Sequence, residues 1–582
     1  MTIDSDAIKK VVDQALAGDF EQQVEEDPVA QATDDVLRVV PSPNHPMGVA
    51  RMFVAEHYMR TDGHTLLRHH RGGFYTWDGT CWPEAEDRRV RADLYRWLEP
   101  AVYLKMTPAG PVPVPFEPTR YKLDNAIDAL KAVGHLGQET NPPVWLEGGG
   151  PWPAGETVAM ANGLLNLRTR ELAPHTPTFF SHHALPFAYD PKRATPPRWE
   201  RFTRELWEDD DESIGALAEL MGYVLSGETN QQKMFMIVGP IRSGKGTIGR
   251  VLTGLMGAHN TAAPTLSSLT TNFGLSPLIG KPLAVVSDAR LGGRADGLIA
   301  VERLLSISGE DSLTCDRKYR EPWTGRLPSR FLILTNELPR FTDSSGALAS
   351  RFVLLTLSRS FYGDEDPDLT DELLADAPGI FNWALAGLDR LAARGHFVQP
   401  ESARDALRHL EDLSSPVGAF VRDLCEIGSR FEIATDELYA SWKAWSTDEG
   451  REKPGTKNVF TRDLRAAVPG VRVIRPRRGE DRPRTYRGVR LASPFSENNA
   501  ESPGPTRTTK PRDNAWQESG PVPVHNGQAQ TRRSEGMVQV GPGSQALFSQ
   551  SEAWTCPGCG GHRTQLTPGG ILTICANCGA DA

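Results

Sequence analysis

Cysteine is scarce. Seven in 582 residues are too few for a disulfide framework. No stretch approaches the roughly 18 continuous apolar residues a membrane-crossing helix needs, and the opening MTIDSDAIKK has no basic, then apolar leader. The expectation is a cytoplasmic protein with no membrane partner. Positive charge is short overall, 64 Lys and Arg against 74 Asp and Glu, and a net of -10 argues against a polyanionic partner. Internal repeats are absent, and between about Pro41 and Asp190 neither paired carboxylates nor metal-ligand spacings occur. That stretch reads as an α+β accessory module without chemistry of its own.

The scarce residues are unevenly spread. Four of the seven cysteines fall in the last 27 residues as Cys556-Pro-Gly-Cys559 and Cys575-Ala-Asn-Cys578. Four soft thiolates at this spacing close a tetrahedral site that suits Zn2+, and in so short a module metal binding supplies most of the folding free energy. The expectation is a zinc ribbon, with His562 outside the ligand set and Cys81, Cys315 and Cys425 as packing residues. Positive charge is local too. Residues 451–490 hold thirteen Arg and Lys against four Asp and Glu, a net of +9, leaving -19 elsewhere. Two helices followed by a basic strand pair fit a winged-helix-like DNA module, with Arg475, Arg477, Arg478, Arg482 and Arg484 on the wing.

The length holds about three or four domains at roughly 100 to 200 residues each. The sequence divides into an acidic arm (1–45), the accessory module (46–195), a helical lead-in (196–230) and a core (231–365). A helical region (366–432), the basic module (433–492), a Gly/Pro/Ser-rich linker (493–552) and the ribbon (553–582) follow. In the core, MFMIV, PLAVVS, RFLILTN and FVLLTL alternate with helix-length segments, which predicts an α/β fold with a buried parallel sheet. The triplet Asp209, Asp210 and Asp211 falls within an amphipathic helical stretch and reads as a solvated face.

The sharpest local signal is MFMIVGPIRSGKGTIGRVLTGL. An apolar strand enters Gly239, Pro240, Ile241, Arg242, Ser243, Gly244, Lys245, Gly246 and Thr247, and a helix follows with Ile248, Val251, Leu252 and Leu255 on one face. That is the order of a P-loop, in which backbone N–H groups and a helix N-terminus cradle phosphate and the lysine reaches its outer oxygens. Gly246 stands where Ser or Thr usually holds Mg2+, and the hydroxyl comes one place later at Thr247; the spacing leaves open whether Thr247 or water takes the ion. Asp288 ends the strand KPLAVVSD beside the loop and is the second Mg2+ candidate. Ala289 replaces the usual neighbouring acid, so the catalytic base stays open, with Glu302 and Asp296 as weak candidates. Asn336 ends the strand RFLILTN, where a neutral amide can orient γ-phosphate and water, and Arg351 follows in ALASRF.

The set GPIRSGKGT, AVVSDAR, ISGEDSLTCDRKYREPWTG, LILTNELP and ALASRF resembles superfamily III helicases, and more narrowly the phage and plasmid primase-helicase family that includes poxvirus and satellite-phage replication proteins. The resemblance covers roughly residues 50–492. It implies an AAA+-like ATPase, a homo-hexameric ring translocating on single-stranded DNA at a replication origin or fork, using ATP and Mg2+, with a replication polymerase or primase as partner. It implies Lys245 and Thr247 in the first ATPase motif, Asp288 in the second, Asn336 as sensor, and Arg351 reaching a neighbouring subunit's nucleotide. It also implies a DNA-gripping hairpin with Arg317, Lys318 and Arg320 beside Tyr319 and Trp323. The pattern departs from the family at Gly246, in the single acid of the second motif, and in lacking a primase centre. The leading expectation is therefore a helicase without primer synthesis of its own. Three others stand beside it: a helicase-primase with a cryptic N-terminal module or separate primase, a DNA-binding scaffold with degenerate ATPase motifs, and a P-loop small-molecule kinase.

Overall fold

The computed structural model describes residues 38–289, 294–343, 345–451, 454–475 and 483–492, and two strands at 564–567 and 570–573. Residues 1–37 of the acidic arm lie outside them, and its last residues belong to the accessory module instead: Val40 is buried in that module's core and its N–H donates to Val102 O at 2.8 Å. The chain forms two units divided at Asn498. Among the described residues no helix is long and apolar enough to cross a membrane.

The N-terminal module of the first unit packs the helices Pro46–His57, Asp87–Leu98 and Arg120–Val133 and two small antiparallel sheets around Phe53, Trp97 and Phe116. A third antiparallel sheet, Thr157–Met160, Gly163–Asn166 and Leu172–Ala173, leads out of it.

The core is a five-stranded sheet. Its strands are β1 (Met234–Val238), β2 (Thr261–Ala262), β3 (Leu283–Val286), β6 (Arg330–Thr335) and β7 (Phe352–Thr356), in the order β2-β3-β6-β1-β7. Every pairing is parallel. Between β3 and β6 the chain makes helix α4 (Arg294–Ser308) and an antiparallel hairpin, β4 (Leu313–Arg317) and β5 (Arg320–Gly325). The four long strands are apolar along nearly their whole length because both faces are covered, so no alternation survives. Helix α3 (Lys245–Met256) lies against the sheet through Ile248, Val251, Leu252 and Leu255, all fully buried, on the face the spacing predicts.

Two helices precede the sheet, α1 (Pro197–Trp207) and α2 (Asp211–Ser226). Asp209 and Asp210 fall in the break between them and Asp211 opens α2, so the triplet is a helix start and not the solvated helical face expected from sequence. The Asp210 carboxylate caps α2 by accepting from Ser213 N at 3.0 Å and also accepts from Ser402 Oγ at 2.6 Å. Desolvation opposes its charge, but those hydrogen bonds win and hold its pKa below the ordinary carboxylate value. Beyond the sheet, α5 (Leu369–Leu374) and α6 (Ala377–Arg394) return, and α6 lies against α2.

The basic module has its own core, Val417, Phe420, Leu438, Trp442, Phe460, Leu464, Tyr486 and Val489. Its elements run helix Pro416–Leu424, strand Cys425–Ala434, helices Thr435–Asp448 and Lys457–Ala467, then strands Arg472–Ile474 and Thr485–Leu491. The strand Cys425–Ala434 corrects the helical reading of residues up to 432, and the core begins at Val417, not at 433. In the second unit, Thr564–Thr567 and Gly570–Thr573 pair as an antiparallel hairpin between the two cysteine pairs. The four cysteines lie outside the described residues.

Candidate active site

The loop from Gly239 to Gly244 leaves the tip of β1, which lies between β6 and β7 in the sheet. Gly239 N donates to Thr335 O at 3.3 Å, and Leu357 N donates to Val238 O at 2.8 Å, so both neighbouring strands clamp its start. A Cβ on Gly239 would stand 2.7 Å from Leu357 O, closer than real contacts allow. The loop then turns through Arg242 (φ 58) and Gly244 (φ 89), left-handed conformations that glycine adopts freely and arginine only when held. It is held from behind: Phe361 N donates to Arg242 O and Ser360 Oγ to Ile241 O, each at 2.8 Å. Gly239→Ala is expected to cost about 1–3 kcal/mol of stability through this overpacking, read as a lower urea midpoint with unchanged slope.

Lys245 is the first residue of α3 and only 8% exposed. Its ammonium donates to Gly239 O (2.8 Å), Pro240 O (2.6 Å) and Ser243 Oγ (3.0 Å). All three donors are thereby spent inside the loop, and desolvation lowers its pKa. The first turn of α3 carries no acidic residue. A lysine at the positive end of a helix, above inward-turned loop backbone, is a place where an anion is stabilised and a cation is not.

The loop opens into a cavity of about 350 Å³. Lys245, Thr247 and Asn336 line it on the polar side, and Phe202, Phe361 and Leu369 offer apolar surface. A second cavity, about 830 Å³, shares Lys245 and Asn336 and adds Asp288. The structure thus gathers Lys245, Thr247, Asp288 and Asn336 at the C-terminal ends of the strands, where ligands of open α/β sheets bind. The sheet order corrects one detail. Asp288 follows β3, which is not adjacent to β1; the strand next to the loop is β6, which carries Asn336. Ala289 is buried, and Glu302 and Asp296 on α4 line neither cavity. The acids that do line the first cavity, Glu205, Asp364, Glu365 and Asp366, come from α1 and from the segment after β7. Glu365 pairs with Arg242 at 3.3 Å and Asp366 with Arg198 at 2.6 Å. No local motif marks these residues, because they belong to the walls of the cavity.

Arg351 lies elsewhere. It immediately precedes β7, at the opposite end of the strands from the loop, and donates to Gln232 Oε1 at 2.5 Å. The five residues of β7 set it about 16 Å from that loop.

Two family matches fall on these elements. Residues 237–351 match the family described as "Family of unknown function (DUF5906)", a span that begins in β1 and takes in Lys245, Asp288, Asn336 and Arg351. Residues 154–208 match "D5 N terminal like", which covers the antiparallel sheet before the core and α1. Among solved structures, the apo NrS-1 C terminal region (305-718) is similar at TM-score 0.36, with 14% identity over 52% of this chain and 79% of that one. The A form apo NrS-1 C terminal region-CTR is similar at TM-score 0.33, with 17% identity over 49% of this chain and 67% of that one.

The hairpin residues are only partly as the sequence implies. Trp323, expected as a stacking surface, is 6% exposed in the core, with the Arg71 guanidinium 5.5 Å above its ring. Arg320, expected to meet DNA phosphate, is paired with Glu84 (2.5 Å) and Asp87 (3.2 Å) of the N-terminal module. Arg317 donates to Glu321 O and Arg71 O. The two have different causes: Trp323 packs into the apolar core around the sheet with Leu278, Cys315 and Leu327, while Arg317 and Arg320 reach the N-terminal module. At the hairpin tip Tyr319 is 94% exposed with Lys318 Nζ 5.2 Å over its ring. In the basic module Arg475 and Arg484 are exposed where the last two strands meet their connecting loop. Arg477, Arg478 and Arg482 lie outside the described residues.

Proposed function

We propose that this chain is an ATP-dependent DNA helicase of phage, plasmid or mobile-element replication. It works as a ring and makes no primers of its own, because its sequence carries no closely spaced carboxylates at a strand end to hold the two metals of a primase. The observation that carries the reading is the Lys245 ammonium held within a glycine-turned loop at the N-terminus of α3, facing a cavity that Asn336 also lines. A nucleotide's outer phosphates there would draw Lys245 from its carbonyl partners, Mg2+ would sit toward Asp288, and the base would lie against Phe202 and Phe361. The match to "D5 N terminal like" supports a replication protein of the primase-helicase type.

The position of Arg351 supports the ring. It lies too far from the loop of its own chain to meet that chain's phosphates, a position suited to serving a neighbour's, and head-to-tail contacts of this kind form a ring when their rotation closes. Single-stranded DNA meets Lys318 and Tyr319, a cation and a stacking face, at the hairpin tip. The basic module, whose elements run helix, strand, helix, helix, strand, strand, acts as a winged helix on duplex DNA. Cys556, Cys559, Cys575 and Cys578 hold one Zn2+. Purified chain is expected to carry one zinc per molecule by atomic absorption, and metal-free protein would refute that part.

The full-length protein with ATP and Mg2+ should displace one strand of a forked duplex. Hydrolysis without displacement on any fork would remove the helicase reading and leave an ATPase.

A further inference from the structure

Gly246 occupies the position where a P-loop usually carries the metal-binding hydroxyl, and the structure shows what uses the space. Arg250, one turn further along α3, folds back over the first turn. Its Nη2 donates to Thr247 Oγ1 at 3.1 Å and its Nε to Thr370 Oγ1, on α5, at 3.0 Å. A Cβ on Gly246 would stand 3.2 Å from Arg250 Nη1, tighter than an ordinary contact. The missing side chain at 246 and the position of the guanidinium are therefore one feature.

Two consequences follow. Thr247 Oγ1, the hydroxyl expected to replace the missing metal ligand, already accepts from a cation, and a divalent ion at that oxygen would stand beside like charge. The guanidinium also lines both cavities with Lys245 and Asn336, and its Nη1 makes no hydrogen bond among the described residues. A planar fork with one arm anchored and another unspent is suited to phosphate oxygen.

We propose that Arg250 is a phosphate-binding residue that neutralises the bound nucleotide's outer phosphates from the α3 side, making nucleotide binding less dependent on Mg2+ than a hydroxyl at 246 would. This rests on the nucleotide reading above. Arg250 is exposed, so its replacement leaves the core intact.

The test is binding of a ribose-labelled fluorescent ATP analogue to full-length protein, in Mg2+ and in EDTA. Arg250→Ala is expected to weaken binding by about tenfold in EDTA and by less than about threefold in Mg2+. Arg250→Lys should recover part of the loss, since it keeps the charge without the fork. Gly246→Ser, which pushes the guanidinium aside and restores a metal ligand, should likewise weaken binding in EDTA but not in Mg2+. Equal affinity of Arg250→Ala and wild type in both buffers would overturn the proposal, as would an equal loss in both. Wild type that binds no nucleotide would overturn the nucleotide reading as well, which separates the two failures.

Discussion

Replacing Arg351 by alanine is expected to lower ATP turnover by about 10³-fold with little change in nucleotide affinity. The side chain lies at the far end of β7 from its own loop, so its loss leaves that pocket intact. What it removes is charge stabilisation delivered to an adjoining subunit's transferred phosphoryl group. The distinctive result is complementation. Equal mixtures of Arg351→Ala and Lys245→Ala chains should regain about a quarter of wild-type turnover, because a random ring forms about one interface in four from an intact loop and an intact arginine. Mixtures no more active than the separate variants would place Arg351 outside the reaction and leave it a partner of Gln232.

Lys245→Ala is expected to lower turnover by about 10²–10³-fold, equivalent to about 3–4 kcal/mol of lost transition-state stabilisation. Unlike Arg351→Ala it should also weaken nucleotide binding, because the ammonium meets phosphate in the ground state as well. The same change leaves Gly239 O and Pro240 O without their donor, a loss of about 1 kcal/mol in stability. A urea melt therefore belongs beside the kinetics. If turnover persisted within threefold of wild type, the loop would not be the catalytic one.

How much of this was legible in the sequence depends on how local each feature is. The loop was legible because strand, glycines, lysine and helix are contiguous. The strands ending at Asp288 and Asn336 were legible because parallel strands buried on both faces read as unbroken apolar runs. Which strand lies beside which was not, since sheet order is fixed by long-range packing, and β6 came to stand between β3 and β1. Trp323 and Arg320 have the composition of a DNA-gripping hairpin, and only the folded contacts show that the first packs into the core around the sheet and the second pairs with the N-terminal module. The strand Cys425–Ala434 was not legible because it is a half-exposed edge with a register shift between Ile427 and Glu432, which breaks the two-residue alternation. Arg250 was hidden in a different way. Its meaning depends on an absent side chain four residues earlier, and only the folded distance joins the two.

The central claim is that the loop at Lys245 powers movement on DNA, and the most direct measurement is steady-state ATP hydrolysis by the full-length chain with and without single-stranded DNA. Turnover should rise at least several-fold with DNA in the wild type and stay at background in Lys245→Ala under both conditions. Hydrolysis indifferent to DNA would contradict the account.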